Sequence, residues 1–238
     1  MKPSTIHTLA LAGCLIGLLT GCASTKVNNR QQLVTGQITR PGNIMVYDFT
    51  ATAADLPPGS SLAGQPDLDT TPQTPDQIAE GKMLGHQIAT ALVADINQLG
   101  MPATVATADT LPQINDLVIR GYLVSVTAGS AVKRIAIGFN SGESELETAV
   151  EGFQMTANGL RKLGSGDVNS GGSKGPGTAV GLAAFIATAN PVGLIVSTGT
   201  KVYGEKSGKS TLEGRATATA QKIAEVLKGR FQEQGWIN

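Results

Sequence analysis

The sequence predicts an α+β fold, in which a small antiparallel or mixed sheet of about four strands packs against a long central helix and a C-terminal helix. Apolar residues recur at helical spacing within 74–99 and again within 210–235. Between these stretches, 117–126 and 143–155 are rich in β-branched and apolar residues, as strands are. A glycine- and alanine-rich apolar segment at 178–200 accompanies them.

Residues 1–21 have the pattern of a secretory signal peptide. Lys2 provides the positive start, and the apolar stretch Ile6–Leu19 is shorter than the roughly 20 residues that a membrane-spanning helix needs. The run Leu19-Thr20-Gly21-Cys22 closes the stretch and resembles a bacterial lipobox. The resemblance implies cleavage before Cys22, which then carries a diacylglyceryl group and a further acyl chain such as palmitate.

A second lipobox-like step, Ala12-Gly13-Cys14, leaves Cys14 as an alternative lipidation site. Cleavage there would shorten the apolar core and leave Leu15–Leu19 on the mature chain, so Cys22 is preferred. Two or more acyl chains anchor a protein stably. By the sorting pattern of bacterial lipoproteins, Ala23 in place of an aspartate implies the outer membrane of a two-membrane cell, with the domain facing the periplasm.

Composition excludes some classes of partner. The chain has 18 basic and 18 acidic side chains, so neither a nucleic-acid footprint nor a polybasic membrane patch is expected. Its 2 cysteines are Cys14, within the signal, and Cys22, so no disulfide is expected in the mature chain.

After the signal, we expect a polar lipidated tether over 22–40 and a single periplasmic domain over 41–238. The domain opens with a strand at Asn43–Phe49. Residues 50–76 are rich in proline and contain no basic residue. Because such a segment buries too little apolar surface to offset the entropy of ordering, a disordered insertion is predicted there.

The central helix has a strong start signal. Thr74 can cap the helix, Pro75 suits its first position, and Gln77 completes a capping box. The helix is predicted to run to about Leu99 and to end at Gly100. One apolar stripe is formed by Leu84, Ile88, Leu92, Ile96 and Leu99.

Three strands are expected next. Leu117–Val126 comes first, and Val132–Phe139 then pairs in a hairpin with Glu143–Met155. The register that pairs Ile135 with Leu146, and so sets Arg134 opposite Glu147, gathers the apolar side chains on one face.

Two glycine-rich stretches follow the strands. Gly164–Gly177 is typical of a flexible linker. Thr178–Thr200 carries no charge and has about the length of a membrane span, but Asn190-Pro191 divides it into halves too short to cross. Two short helices or a helical hairpin packed on the sheet are expected, with membrane insertion as the alternative.

The last helix opens with a second capping-box match, Ser210–Glu213, and ends near Gly235. Trp236 and Ile237 are then free to dock on the body. The apolar side of this helix consists of Ala216, Ala220, Ile223, Leu227 and Phe231.

Four acidic side chains share one strand face at a spacing of two: Glu143, Glu145, Glu147 and Glu151. Such a face can bind a cation or a basic partner. More often it is a solvated face that basic neighbours, here Arg134, partly neutralise. Both interpretations remain open.

No catalytic residue, metal site or cofactor is expected. His86, the single histidine outside the signal, is predicted to point away from the apolar stripe into solvent, and one histidine is too few for a typical zinc site. Gly204–Ser210 has one residue too few between its glycines for a phosphate-binding loop.

Several motifs in order resemble the bacterial lipoproteins catalogued as domain of unknown function 4410. They are Val46-Tyr47-Asp48-Phe49, Asp116-Leu117-Val118-Ile119-Arg120-Gly121, Arg134 with Ile137-Gly138-Phe139, and Gln234-Gly235-Trp236-Ile237. That family has no settled activity, so the resemblance supplies no catalytic residue.

These observations predict a non-catalytic lipoprotein that is anchored to the membrane through Cys22 and binds or scaffolds an unknown cell-envelope protein. A homo-oligomer is compatible with this prediction. The alternative is an oligomeric membrane-remodelling or pore-associated protein that inserts 178–200.

Overall fold

The computed structural model describes residues 25–52, 55–56, 74–127, 144–171, 195–197 and 211–238. These residues form a mixed sheet with two helices, so the predicted α+β class is confirmed, while the expected number of strands was too low. The strands are β1 (Thr25–Gln32), β2 (Ile44–Tyr47), β3 (Ala103–Ala106), β4 (Leu117–Thr127), β5 (Glu145–Thr156), β6 (Gly159–Gly171) and β7 (Ile195–Ser197). The helices are α1 (Pro75–Gln98) and α2 (Leu212–Glu233).

The sheet has the order β1-β6-β5-β4-β2-β3, and β7 pairs with β4. The β2 strand is parallel to both β3 and β4, whereas β4, β5, β6 and β1 alternate in direction. Both helices contribute to one apolar core beneath one face of the sheet. We call this the helix face and the opposite surface the far face.

The α1 helix forms as predicted. Thr74 accepts a hydrogen bond from the Gln77 amide at 3.3 Å, and the Gln77 side chain accepts one from the Thr74 amide at 2.7 Å. Gly100, at a φ of +81°, follows the helix end. The inner four residues of the predicted stripe are fully buried: Leu84, Ile88, Leu92 and Ile96.

Two glycines, one on α1 and one on β4, let these elements pack very closely against Phe49, which follows β2. A Cβ on Gly85 would lie 2.0 Å from the carbonyl oxygen of Phe49, and one on Gly121 would lie 2.2 Å from the Phe49 ring. Phe49 is therefore fixed between helix and sheet. Its neighbour Thr50 extends the contact by bonding to Gly121 and Leu123 of β4.

Two polar stretches that the sequence assigns to flexible connections are strands. The predicted tether 22–40 contains β1, and the predicted linker Gly164–Gly177 is β6 as far as Gly171. Thr25 lies opposite Ser170 in the antiparallel β1–β6 pair. The backbone of β6 bonds to a neighbour on each side, which orders a stretch whose composition alone favours flexibility.

The predicted hairpin is wrong in its pairing. Both edges of β5 are occupied, one by β4 and the other by β6. Leu146 lies opposite Val126 and Ser170, and Glu147 lies opposite Ser125 and Asn169, where the sequence predicts Ile135 and Arg134 as partners. Residues 132–139 themselves lie outside the described part of the chain.

Smaller corrections concern the chain ends and short strands. The N-cap of α2 is Thr211, one residue after the predicted Ser210, and its side chain accepts from the Gly214 amide at 3.1 Å. Trp236 docks as expected, with its ring centroid 5.7 Å from that of Phe231. The four-residue strand β3 was not predicted.

Within the segment Thr178–Thr200, the structure describes only 195–197. They form β7, which is parallel to β4, so a helix is wrong for these three residues. Most of the predicted insertion 50–76 also lies outside the described residues. Neither of the two helices described is long and apolar enough to cross a membrane.

Candidate functional site

The predicted lipidation motif precedes the described chain. Cys22, with Leu19, Thr20 and Gly21, lies outside the described residues, which begin at Thr25. Lipidation and signal cleavage therefore stay predictions. Only two residues separate Cys22 from the first strand of the sheet.

The acidic face of β5 lies on the far face of the sheet, and part of it is buried. Glu147 is 9% exposed and Glu151 is 4% exposed, so these two are not the solvated residues expected. Glu151 accepts from the Tyr122 hydroxyl at 2.8 Å and from the Lys162 ammonium at 2.5 Å. Lys162 takes the neutralising role assigned to Arg134, which, like Glu143, lies outside the described residues.

Asp167 of β6 joins this face as a fully buried carboxyl group. One of its oxygens accepts from the Asn29 amide at 2.8 Å, while the other has no hydrogen-bond partner among the described residues. Burial raises the pKa of Asp167 to about 7, with a smaller contribution from the charge of Glu147 and an opposing one from Asn29. Burial also raises the pKa of Glu147, although Asn169 donates to it at 2.9 Å.

These carboxyl groups do not make a metal centre. Over the described ranges, no three histidine, cysteine or acidic side chains are placed to hold a metal ion. The buried pair of Glu147 and Asp167 instead has amide partners, and their N–H donors favour the charged carboxylate and so oppose the effect of burial on the pKa.

A crevice of about 790 Å³ opens where β2 and β3 end, and we call it the strand-end crevice. Arg120 of β4 lines it, with the guanidinium carbon 5.7 Å from the centre of the Tyr47 ring and 5.6 Å from that of Phe153. The Tyr47 hydroxyl donates to the Thr110 carbonyl at 2.6 Å, which ties the β3–β4 connection to the crevice. Burial raises the pKa of Tyr47, and the charge of Arg120 opposes that shift.

His86 has the exposed position predicted for it, with 63% of its side chain accessible. Its Nδ1 lies 3.1 Å from Asp48, and its Nε2 lies 3.5 Å from the Thr90 hydroxyl. Thr90, His86 and Asp48 thus follow one another in the order of a nucleophile, a base and an acid. All three residues are exposed, two of them on α1 and Asp48 just after β2. Although Asp48 also lines the strand-end crevice, His86 and Thr90 do not, so the described residues do not enclose this chain of contacts in a pocket.

An apolar pocket of about 190 Å³ lies between α2 and strands β1, β5 and β6, and we call it the α2 pocket. Its walls include Val27, Val150, Leu163, Ile223, Leu227 and Phe231. Gly152, Gly164 and Gly166 form part of its floor. A Cβ on Gly152 would meet no atom within 4 Å, so the missing side chain leaves open space.

The rim of the α2 pocket is polar and accessible. Gln31 and Gln32 of β1 are exposed, and the Gln32 side chain accepts from Arg230 of α2 at 2.8 Å. An apolar interior with a few polar groups at its mouth is the usual form of a binding pocket.

A family model described as "Domain of unknown function (DUF4410)" matches residues 44–189. The chain belongs to this family. The resemblance stated from the sequence motifs is thereby confirmed as to family. No curated protein matches the chain.

Two solved structures are similar to the DUF4410 chain. One is a leucine-to-methionine variant of the PelC dodecamer from Paraburkholderia phytofirmans, with 14% identity, a TM-score of 0.41 and coverage of 86% of this chain and 98% of that one. The other is the PelC dodecamer from the same organism, with 12% identity, a TM-score of 0.40 and the same coverage of both chains.

Sequence reasoning missed Asp167, Arg120 as a crevice residue, and the α2 pocket. Each had a signal. Asp167 is the one acid within the run 164–171, and Arg120 interrupts an otherwise apolar run in 117–124. Gly164 and Gly166 are two apart, the spacing that puts residues on one face of a strand.

Proposed function

We propose that this DUF4410 chain is an outer-membrane lipoprotein, anchored by lipid on Cys22, whose periplasmic domain is non-catalytic and binds a cell-envelope protein. Partner binding is supported by the α2 pocket, an apolar space that opens at the surface between β1 and α2. We take its occupant to be one apolar side chain of the partner.

The size of the pocket supports this choice of occupant. An apolar cavity of about 150 Å³ is large enough to hold benzene. The α2 pocket, at about 190 Å³, therefore accommodates one aromatic or large aliphatic side chain but not a drug-sized molecule. Buried anchors of this kind contribute about 2 kcal/mol or more each to protein–protein affinity.

The short connection from Cys22 to β1 suggests where the partner is found. An extended chain spans at most about 3.3–3.6 Å per residue, so three steps from Cys22 to Thr25 cover about 10 Å. A lipid on Cys22 would hold the β1 edge of the sheet close to the bilayer surface. Because β1 also lines the α2 pocket, we propose a partner that is itself associated with the membrane.

The test places a photo-reactive amino acid at Gln32, on the rim of the pocket, in the full lipidated chain in its own cells. We expect a discrete crosslinked protein. A second variant adds Gly152→Leu, which fills the pocket from its floor, where a Cβ meets nothing within 4 Å. The matched control adds Gly229→Leu, at an equally open position on α2 that does not line the pocket.

The proposal requires the crosslink to disappear with Gly152→Leu and to persist with Gly229→Leu. Urea denaturation of each variant confirms that it is folded. A crosslink that survives pocket filling, or no crosslink at all in the parent chain, would show that the α2 pocket is not the partner site.

A further inference from the structure

We propose that the strand-end crevice binds a small molecule that carries an oxyanion, either a carboxylate or a phosphate, and that Arg120 is the group that binds this oxyanion. This site is separate from the α2 pocket and does not depend on the function proposed above. The two sites share no lining residue.

Arg120 is held in place without using its hydrogen-bond donors. The aromatic rings of Tyr47 and Phe153, on the strands either side of β4, both lie within 6 Å of its guanidinium. In the part of the chain that the structure describes, Arg120 donates no hydrogen bond and forms no ion pair. Its planar fork of N–H donors is therefore available, and that geometry matches a carboxylate or a phosphate.

The nearby charges have partners already. Lys82 lies 3.4 Å from Asp55, and Asp48 contacts His86 on α1. Glu151, which faces Arg120 across the β4–β5 pair, binds Tyr122 and Lys162. Among the described residues that line the crevice, Arg120 is thus the cation without a carboxylate partner.

The position and shape of the crevice fit a small ligand. It lies beyond the carboxyl ends of the parallel strands β2 and β3, the edge at which open α/β sheets bind ligands. Its volume of about 790 Å³ is within the usual range for small-molecule sites. Leu111 lies at this crevice with 84% of its surface exposed, which offers an apolar contact for the body of the ligand.

The experiment uses isothermal titration calorimetry on the full mature chain in a non-ionic detergent. The probes are benzoate and phenyl phosphate, and benzamide is the neutral counterpart of benzoate. We expect at least one oxyanion to bind, with benzamide at least tenfold weaker. The Arg120→Gln variant should lose at least tenfold in affinity, and Arg120→Lys should lose part of it because an ammonium keeps the charge without the fork.

The matched control is Arg40→Gln, which removes an exposed arginine that donates to the Gly100 carbonyl and does not line the crevice. Its affinity for the probe should equal that of the parent chain. Thermal melting checks that each variant is folded. If Arg120→Gln does not fold, the affinities of the parent chain for benzoate and benzamide decide whether the crevice binds an oxyanion.

The relative affinities of the two oxyanions identify the ligand class. A phosphate monoester gains its second charge near pH 6, so tighter binding of phenyl phosphate from pH 5 to pH 8, with benzoate unchanged, indicates a phosphate ligand. The reverse preference indicates a carboxylate ligand. The proposal is overturned if neither oxyanion binds, if benzamide binds as well as benzoate, or if a folded Arg120→Gln variant keeps the parent affinity.

Discussion

Replacing Asp167 with asparagine should make the protein more stable at neutral and alkaline pH. Asp167 is fully buried on the far face, and in the described part of the chain one of its oxygens has no hydrogen-bond partner. Burial raises the pKa of this carboxyl group from 3.8 to about 7. An asparagine cannot ionise, and its side-chain oxygen can still accept the hydrogen bond from Asn29.

The sign of the effect follows from the raised pKa. Below about pH 4, Asp167 is protonated in both the folded and the unfolded chain and causes no loss of stability. As the pH rises towards 7, the unfolded chain releases this proton while the folded chain retains it, so the free energy of unfolding falls. About three pH units at about 1.4 kcal/mol each give a loss of roughly 4 kcal/mol, which levels off above the folded pKa.

The assay is urea denaturation between pH 4 and pH 8.5, with Cys22→Ser present in every chain so that no lipid is attached. The free energy of unfolding of Asp167→Asn minus that of the parent should grow by a few kcal/mol from low to high pH. The control Asp109→Asn removes an exposed acid and should give a flat difference. A flat difference for Asp167→Asn, or one that shrinks as the pH rises, would show that the folded chain does not raise the pKa of Asp167.

Three further predictions concern packing and membrane attachment. Gly85→Ala should lower the free energy of unfolding by about 1–3 kcal/mol, because its Cβ would lie 2.0 Å from the Phe49 carbonyl oxygen. Gly229→Ala, in an open helical position, should raise it by about 0.5–1 kcal/mol, and urea denaturation that gives both changes the same sign contradicts this account. Carbonate extraction should release Cys22→Ser completely, whereas its retention in the membrane favours insertion of 178–200.

The elements predicted correctly are those whose signals are local in the sequence. The α1 helix is specified by Thr74, Pro75 and Gln77 at its start and by an apolar stripe along its length. By contrast, β1 and β6 consist largely of polar and small residues. The β6 strand forms a hairpin with the preceding strand β5, and its other edge pairs with β1, which is far away in the sequence. A composition typical of linkers gave the wrong prediction for 164–171, because strand formation there comes from backbone pairing on both edges, which composition alone does not reveal.

The same limit explains why the candidate sites were only partly predicted. A spacing of two places Glu147 and Glu151 on one face of a strand, but it does not say whether that face is exposed to water or covered. The structure buries both, and it adds Asp167 from a strand that the sequence did not reveal. Burial on the far face raises the pKa of Glu147 and of Asp167, whereas a carboxyl group in water would have an ordinary pKa.

The α2 pocket and the strand misassigned as a linker have one physical origin. Gly164 and Gly166 present no side chain towards α2, so the sheet and the helix cannot close the space between them. At Gly164 this absence is also required by strand pairing, because a Cβ there would lie 2.5 Å from the Gln31 carbonyl oxygen. At Gly152 nothing within 4 Å requires a glycine, so packing alone would admit a larger residue that fills the pocket and adds apolar contacts. A larger residue at 152 could fill this cavity, and yet the cavity is open. We expect that arrangement if the space binds a partner and does not contribute to stability.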